Sequence, residues 1–442
     1  MDPRLARGRW WTRRLAVAVT LIAIFTVLPW VRVAGKPPIL LDVVERQFTV
    51  FGNTFRPTET LFLALLTLAI LVTIGLLTAL FGRVWCGWAC PQTVYLEFVY
   101  RPLERWILAP ERGRTTSTSI WRRPALYALY LVLSAHLANT FLGYFVPTDR
   151  LVEWTFGSPV NHPIAFGVFA VVTAAMLFDF VFFREQLCTL VCPYGRMQSV
   201  LLDRSSLIVA YDSGRGEPRA RGSARKVSAA GDCVDCTLCV QACPTGIDIR
   251  DGLQLECIQC TQCIDACDGV MRRLGQADGL IRYASQDSNA GKHASRIRPR
   301  TVLYPTLLAV VLVALVVLLI RRRPVLAEQE RIVGQAFVVE PTGAVASTLK
   351  LLIENRSHAG NAFVLEGTEG VELRKPATII VDAGRATSVQ VIAVSERSEF
   401  HRGTRRGELR LVADDGTSWP VMVNIPGPFG LGADGATRKV AP

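Results

Sequence analysis

The chain has 442 residues, half of them hydrophobic and 19% charged, with a formal net charge of +12. Its positive mean hydropathy excludes an ordinary soluble domain of this length and makes a membrane protein the first expectation. The charge does not signal nucleic acid: no zinc-finger, helix-turn-helix or RNA-binding signature is present, and much of the excess is arginine beside apolar runs, where it sets topology and meets anionic headgroups.

Five apolar stretches reach the roughly 17 to 25 residues needed to cross a bilayer: Leu15 to Val31, Leu61 to Phe81, Pro124 to Phe145, Pro163 to Phe183 and Val302 to Ile320. The N-terminal tail carries Arg4, Arg7, Arg9, Arg13 and Arg14, and the Phe81 to Pro124 connection has seven arginines, against Arg150 alone between Phe145 and Pro163. That asymmetry assigns the tail, the second connection and the Arg184 to Arg300 segment to the cytoplasm of a bacterial inner-membrane protein, and the C-terminal region to the periplasm. Arg321, Arg322 and Arg323 run against this orientation, which for the last span rests on the odd number of spans. No small-residue cleavage site follows the first apolar run, which reads as an uncleaved anchor.

The cysteines carry the chemistry. All twelve lie between Cys86 and Cys267, on the side assigned as reducing, so ligands or redox thiols explain them better than disulfides. "RVWCGWACPQ" follows the second span and "QLCTLVCPYG" the fourth, each with C-x3-C-P spacing: Cys86, Cys90 and Pro91, then Cys188, Cys192 and Pro193. A spacing of four predicts that each pair shares one helix face, with the proline ending or kinking the helix. Each is followed by an amphipathic piece, so the two halves look like copies of one unit. If the second and fourth spans are neighbours, four thiols meet at one level, a soft site suited to Cu(I), zinc or an iron-sulfur cluster. The bland alternative is that cysteines in membrane helices are small packing residues; two matched pairs speak against it.

After a polar linker, "YDSGRGEPRARGSARK", comes C-x2-C-x2-C-x3-C-P with Cys233, Cys236, Cys239, Cys243 and Pro244, and then the same spacing in Cys257, Cys260, Cys263 and Cys267, where Asp268 replaces the second proline. Three thiolates spaced by two residues wrap one cubane, and in two-cluster ferredoxins the fourth cysteine serves the neighbouring cluster. The expectation is one [4Fe-4S] cluster on Cys233, Cys236, Cys239 and Cys267 and a second on Cys257, Cys260, Cys263 and Cys243. Structural zinc pairs two C-x2-C knuckles across a longer gap and fits less well. Within the spans, His136 suits packing better than haem or quinone contact, Asp179 is a candidate for proton or cation handling, and Met176 reads as packing.

From about Glu328, short alternating segments broken by Gly, Asn and Asp ("QAFVVE", "STLKLLIEN", "AFVLEG", "ATIIVDAG", "TSVQVIAV", "GELRLVADD", "SWPVMVNI") predict seven or so strands of an immunoglobulin-like sandwich. The expected organisation is a multi-domain membrane protein: a membrane domain over residues 1–210, a ferredoxin-like insert over 211–301, a fifth span over 302–320 and an all-β domain over 328–428.

Together, "WCGWACPQTVYLEFVYRPLER", "LCTLVCPYGRMQSVLLDRSSLIVAYD", "RGEPR", "CIQCTQCIDACDGVM" with its cysteine-aspartate ending, and "GLIRY" resemble the cytochrome c oxidase accessory protein family, CcoG/FixG. The resemblance implies an inner-membrane iron-sulfur protein needed to assemble cbb3-type haem-copper oxidase, reducing Cu(II) to Cu(I), with oxidase subunits or copper chaperones and transporters as partners. Cys233 to Cys267 would then relay electrons, and Cys86, Cys90, Cys188 and Cys192 would hold copper or a third cluster. Two alternatives stay open, a quinol-linked electron-transfer subunit of the NapH type and a non-catalytic assembly scaffold; a NosR-type regulatory role fits less well, since no flavin-attachment domain is visible.

Overall fold

The structure, a computed structural model, describes residues 3–33, 37–43, 47–55, 59–108, 121–222, 230–289, 291–292, 298–332, 334–357, 360–367, 370–374 and 378–429. Part of the Phe81 to Pro124 connection, residues 109–120, and the end of the polar linker, from residue 223, lie outside the described residues. The chain forms two compact units, one of Met1–Val31, Pro37–Gln47 and Arg56–Leu318, the other of Arg32–Lys36, Phe48–Phe55 and Leu319–Pro442.

Five helices are long and apolar enough to span a membrane: Arg9–Trp30, Leu61–Phe81, Arg122–Leu142, Pro163–Phe183 and Pro299–Ile320. At about 1.5 Å per residue each rises about 32 Å, which matches a hydrocarbon core of about 30 Å. Their outward faces carry Leu71, Val132, Val171 and Val313, all well exposed, a surface suited to lipid rather than water. The first helix begins earlier than the apolar run at Leu15, because the Asp265 carboxylate accepts the amides of Trp10 at 3.1 Å and Trp11 at 2.7 Å and so caps a start that the sequence pattern alone does not mark. The amphipathic piece after Cys90 packs against the third and fourth spans: the Tyr100 ring stacks on Phe180 at 4.1 Å, and its hydroxyl shares a 2.9 Å hydrogen bond with Ser134.

In this unit β1 (Ile39–Asp42) lies in the loop after the first span. β2 (Gln47–Val50) and β3 (Asn53–Phe55), which from Phe48 on belong to the second unit, pair antiparallel, and the Phe51–Gly52 turn between them has positive φ at both residues, as a tight two-residue hairpin requires. The cysteine-rich insert is tied off by β4 (Ile208–Tyr211) and β5 (Ile281–Ala284), paired antiparallel from Ile208 opposite Ala284 to Tyr211 opposite Ile281. That pairing brings the two ends of the insert together under a core of Val209, Ile249, Ile264, Met271 and Leu280.

The second unit is β-rich. Its strands are β6 (Val325–Glu330), β7 (Phe337–Val339), β8 (Ala344–Asn355), β9 (Asn361–Gly367), β10 (Glu372–Arg374), β11 (Ile379–Val381), β12 (Ala386–Glu396), β13 (Thr404–Ala413) and β14 (Ser418–Pro426). One sheet runs β10-β12-β8-β6 with β7 also on β8, the other β11-β9-β13-β14. Burial alternates along β8, as a strand with one covered face demands, and Leu349, Leu351 and Ile353 share a core with Phe363, Leu365, Leu409, Leu411 and Val423 of the other sheet. Two strands, β6 and β10, go beyond the seven expected segments; β6 stands directly behind the fifth span, where its alternation is hard to tell from the end of the apolar run. Arg322 has a local task in this unit: its guanidinium lies 4.6 Å over the Phe55 ring and donates to the Thr54 carbonyl.

Candidate functional site

The two C-x2-C-x2-C loops share one backbone. Asp235 and Thr237 in the first, and Gln259 and Thr261 at the same places in the second, all have φ between 52° and 61°. Left-handed non-glycine residues cost about 1–3 kcal/mol each and persist only where the surroundings over-determine them; here they roll each loop so that its three sulfurs face one centre. The third cysteine then enters a helix. The first helix, Leu238–Gln241, is one turn long, and Pro244 follows Cys243; the second, Gln262–Arg273, runs through Cys263 and Cys267 without a break. The difference follows from Asp268 standing where the first repeat has proline: aspartate keeps its amide for the helix, and its carboxylate accepts Gly279 N–H at 2.9 Å.

The eight thiols surround two cavities. One is lined by Cys233, Cys236, Cys239 and Cys267, the other by Cys243, Cys257, Cys260 and Cys263. Each cavity draws three cysteines from one repeat and the fourth from the other. Among the described residues no three His, Cys, Asp or Glu side chains close on a single ion. Burial pushes Cys239 and Cys257 up to about 11 and Cys267 to about 12, and raises Cys260 and Cys263 further. Such thiols stay protonated unless a cationic core sits among them, which is the condition an iron-sulfur cluster meets. Backbone amides of Gln259, Gln262 and Val240 donate to Cys257, Cys260 and Cys239 and pull in the opposite direction.

The membrane-edge motifs also repeat bond for bond. Four residues before the first cysteine of each stands a left-handed residue, Gly82 with φ 62° and Arg184 with φ 48°. Cys86 N–H donates to Arg83 O and Cys188 N–H to Glu185 O; Cys90 N–H donates to Trp85 O and Cys192 N–H to Leu187 O, each of the last two at 2.8 Å. The expectation that each pair shares a helix face is corrected here. Cys86 lies in a short helix, Val84–Trp88, and Cys188 in a π turn, Leu187–Val191, whereas Cys90 and Cys192 have extended ψ, 126° and 110°, and stand as N-caps of the next helices. The reason is steric: proline drives the residue before it out of the helical region.

All four membrane-edge thiols nevertheless come within electrostatic reach of one another: burial first, then Arg83 and the thiols of Cys90 and Cys192, act on Cys86, which is pushed up to about 11, and burial with Cys90, Cys86 and Cys192 takes Cys188 to about 12. Burial also raises Cys90, against amides of Gln92 and Thr93. The Cys86 thiol donates to Gln198 Oε1 at 3.1 Å and packs with Ile258 and Cys260, while Cys188 and Tyr194 cover it. The turn of the first membrane-edge motif therefore rests on the second ferredoxin-type loop, and Gly87 shows how closely: a Cβ there would lie 2.5 Å from Ile258 O.

Of the other residues singled out, Met176 packs among Tyr95, Leu96 and Tyr100, His136 is exposed on the third span, and Asp179 has a buried Oδ1 with no hydrogen-bond partner and acts on Cys90. Sequence reasoning missed the buried polar clamp between membrane and insert. Arg14, fully buried, donates to Gly87 O at 2.9 Å and to both Glu97 oxygens at 3.2 and 2.8 Å, and Glu97 also accepts from Gln262. The sequence carried half of the signal: Glu97 is a lone acid within the apolar run TVYLEFVY and needs a buried cation, but nothing local names Arg14 as its partner.

Residues 183–286 match a family described as 4Fe-4S dicluster domain and residues 63–110 one described as 4Fe-4S binding domain. The nitrogen fixation protein FixG of Rhizobium meliloti is 34% identical over 66% of this chain, which spans 58% of that protein. RdxA and RdxB of Cereibacter sphaeroides are 33% and 31% identical over 84% and 92% of this chain and 82% and 90% of their own lengths. The protein is thus an iron-sulfur electron-transfer protein with two [4Fe-4S] clusters, and the chain belongs to the family of FixG, RdxA and RdxB.

Proposed function

We propose that this protein reduces Cu(II) to Cu(I) at a bacterial inner membrane, so that copper reaches a cbb3-type oxidase under assembly in the form its chaperones bind. The observation that carries this reading is the packing of Cys86 against Cys260 and Ile258, which sets four soft donors, Cys86, Cys90, Cys188 and Cys192, beside the insert. One [4Fe-4S] cluster on Cys233, Cys236, Cys239 and Cys267, and one on Cys243, Cys257, Cys260 and Cys263, supply one-electron storage. The residues of the chain do the rest: the loops bury the thiols, the exchange of Cys243 and Cys267 keeps the two centres close, and the membrane-edge sulfurs bind the copper substrate. One electron passes to each Cu(II), which leaves as Cu(I), and a soluble low-potential one-electron carrier on the cytoplasmic side restores the insert. The β-rich unit serves as a periplasmic immunoglobulin-like docking domain.

The test is anaerobic Cu(II) reduction by purified, pre-reduced protein beside a variant with Cys86, Cys90, Cys188 and Cys192 all changed to Ser. Rapid Cu(I) formation by the wild type alone upholds the proposal; equal, slow rates overturn it in favour of a quinol-linked relay or a scaffold. One observation favours a second reading of the membrane-edge site. Residues 63–110 match a 4Fe-4S binding domain although that stretch holds only Cys86 and Cys90, as a third cluster completed by Cys188 and Cys192 would explain. Iron content separates the two: about eight irons per chain for two cubanes and about twelve for three.

A further inference from the structure

Arg83 stands three residues before Cys86, between the Cys257–Cys263 loop and the second membrane-edge motif. Only 4% of it is exposed. Its guanidinium donates to the Leu255 carbonyl, two residues before Cys257, while its Nε is buried without a hydrogen-bond partner. On its third side is the second membrane-edge motif: a Cβ on Gly195 would lie 2.9 Å from Arg83 Nη2 and 2.8 Å from Cys188 O, so glycine there leaves the room that the guanidinium occupies.

Two other buried arginines have acidic partners, Arg14 with Glu97 at 2.8 Å and Arg101 with Glu185. No ion pair to Arg83 occurs among the described residues. A buried cation without a counter-charge is expensive, and it persists where another negative group offsets that cost. Thiolates and the clusters they hold are such a group, and reduction makes them more negative. Low local dielectric makes a charge a few ångströms away effective, and surroundings of this kind tune reduction potential.

We propose that Arg83 is the positioning residue for electron exit: it pins the first membrane-edge turn to the Cys257–Cys263 loop and raises the potential of the cluster on Cys243, Cys257, Cys260 and Cys263 above that of its partner. Electrons then run from the Cys233–Cys239 side toward Cys86. The direction of exit rests on the copper-reductase reading; the effect on potential does not.

The experiment is a redox titration of the full-length protein followed by electron paramagnetic resonance, with iron content measured, for wild type, Arg83→Gln and Arg83→Lys. In Arg83→Gln one cluster becomes harder to reduce, with at least a tenfold change in its reduced-to-oxidised ratio at fixed potential, about 59 mV for a one-electron couple, and the other cluster does not move. Arg83→Lys restores most of the shift. Placing Cys236→Ser in the background of both proteins identifies the shifted signal as the one that survives loss of the Cys233 set. Cu(II) reduction in Arg83→Gln slows at least tenfold. Potentials that stay put, or that fall together, overturn the proposal, as does a shift confined to the signal that Cys236→Ser removes. If wild-type protein reduces no copper, the reductase reading fails while the potentials still decide the role of Arg83.

Discussion

The ferredoxin-type loops and the membrane-edge turns are both duplications, and they diverge in opposite ways. In the loops the four left-handed residues, Asp235, Thr237, Gln259 and Thr261, are non-glycine, and the repeats differ at their ends, where one helix stops at Gln241, ahead of Cys243 and Pro244, and the other, with Asp268 in place of proline, runs through Cys267 to Arg273. In the membrane-edge turns the shared positive φ lies before the cysteines, at Gly82, where it costs nothing, and at Arg184, where it is strained, and the first cysteine sits in an α turn in one copy and a π turn in the other. A duplicated backbone is thus held tightly where several sulfurs must converge, and it drifts where the chain has only to leave a helix.

The sharpest way to break the comparison is at the sulfurs. Cys260→Ser removes one cluster and about half the iron, measured chemically and by electron paramagnetic resonance, whereas Cys90→Ser leaves the signals of both clusters in place. Next is the helix after the second loop. Asp268→Pro removes an amide from a helix interior, a loss of about 3 kcal/mol, together with the Gly279 contact, and a clear fall in Tm is expected. Gly87→Ala follows, since its Cβ meets backbone at 2.5 Å; overpacking of this kind costs about 1–3 kcal/mol, and slower Cu(II) reduction with unchanged iron content is the accompanying readout. The smallest effect is at Arg184→Gly. Relief of left-handed strain, about 1 kcal/mol, opposes loss of the partly exposed pair with Glu104 at 3.1 Å, worth about 0–1 kcal/mol. A small rise in Tm is expected, and it grows when Glu104→Gln has already removed the pair.

Much of the site is visible in one dimension because its chemistry is local. Spacings of two and three between cysteines dictate how sulfurs converge within a single loop, so the grouping of Cys233 to Cys267 around two cavities follows a pattern that can be written down from the sequence. The membrane-edge pairs were legible as motifs but not in geometry, because the steric demand of Pro91 and Pro193 outweighs the helical period that a spacing of four suggests. The clamp of Arg14, Glu97 and Gln262 joins residues 83 and 165 positions apart, a separation that no local pattern encodes.

By itself the sequence determined five apolar spans, two cysteine-rich repeats and an alternating C-terminal region, since burial in lipid, metal ligation and strand pairing each impose a short period on the chain. Only the tertiary structure decided that Cys86 lies on Cys260, that Gly87 and Gly195 are small because backbone and guanidinium approach them, and that Arg83 stands between the Cys257–Cys263 loop and the second membrane-edge motif. Those facts depend on surfaces meeting across long stretches of sequence, where packing and charge act through space and leave no period to read.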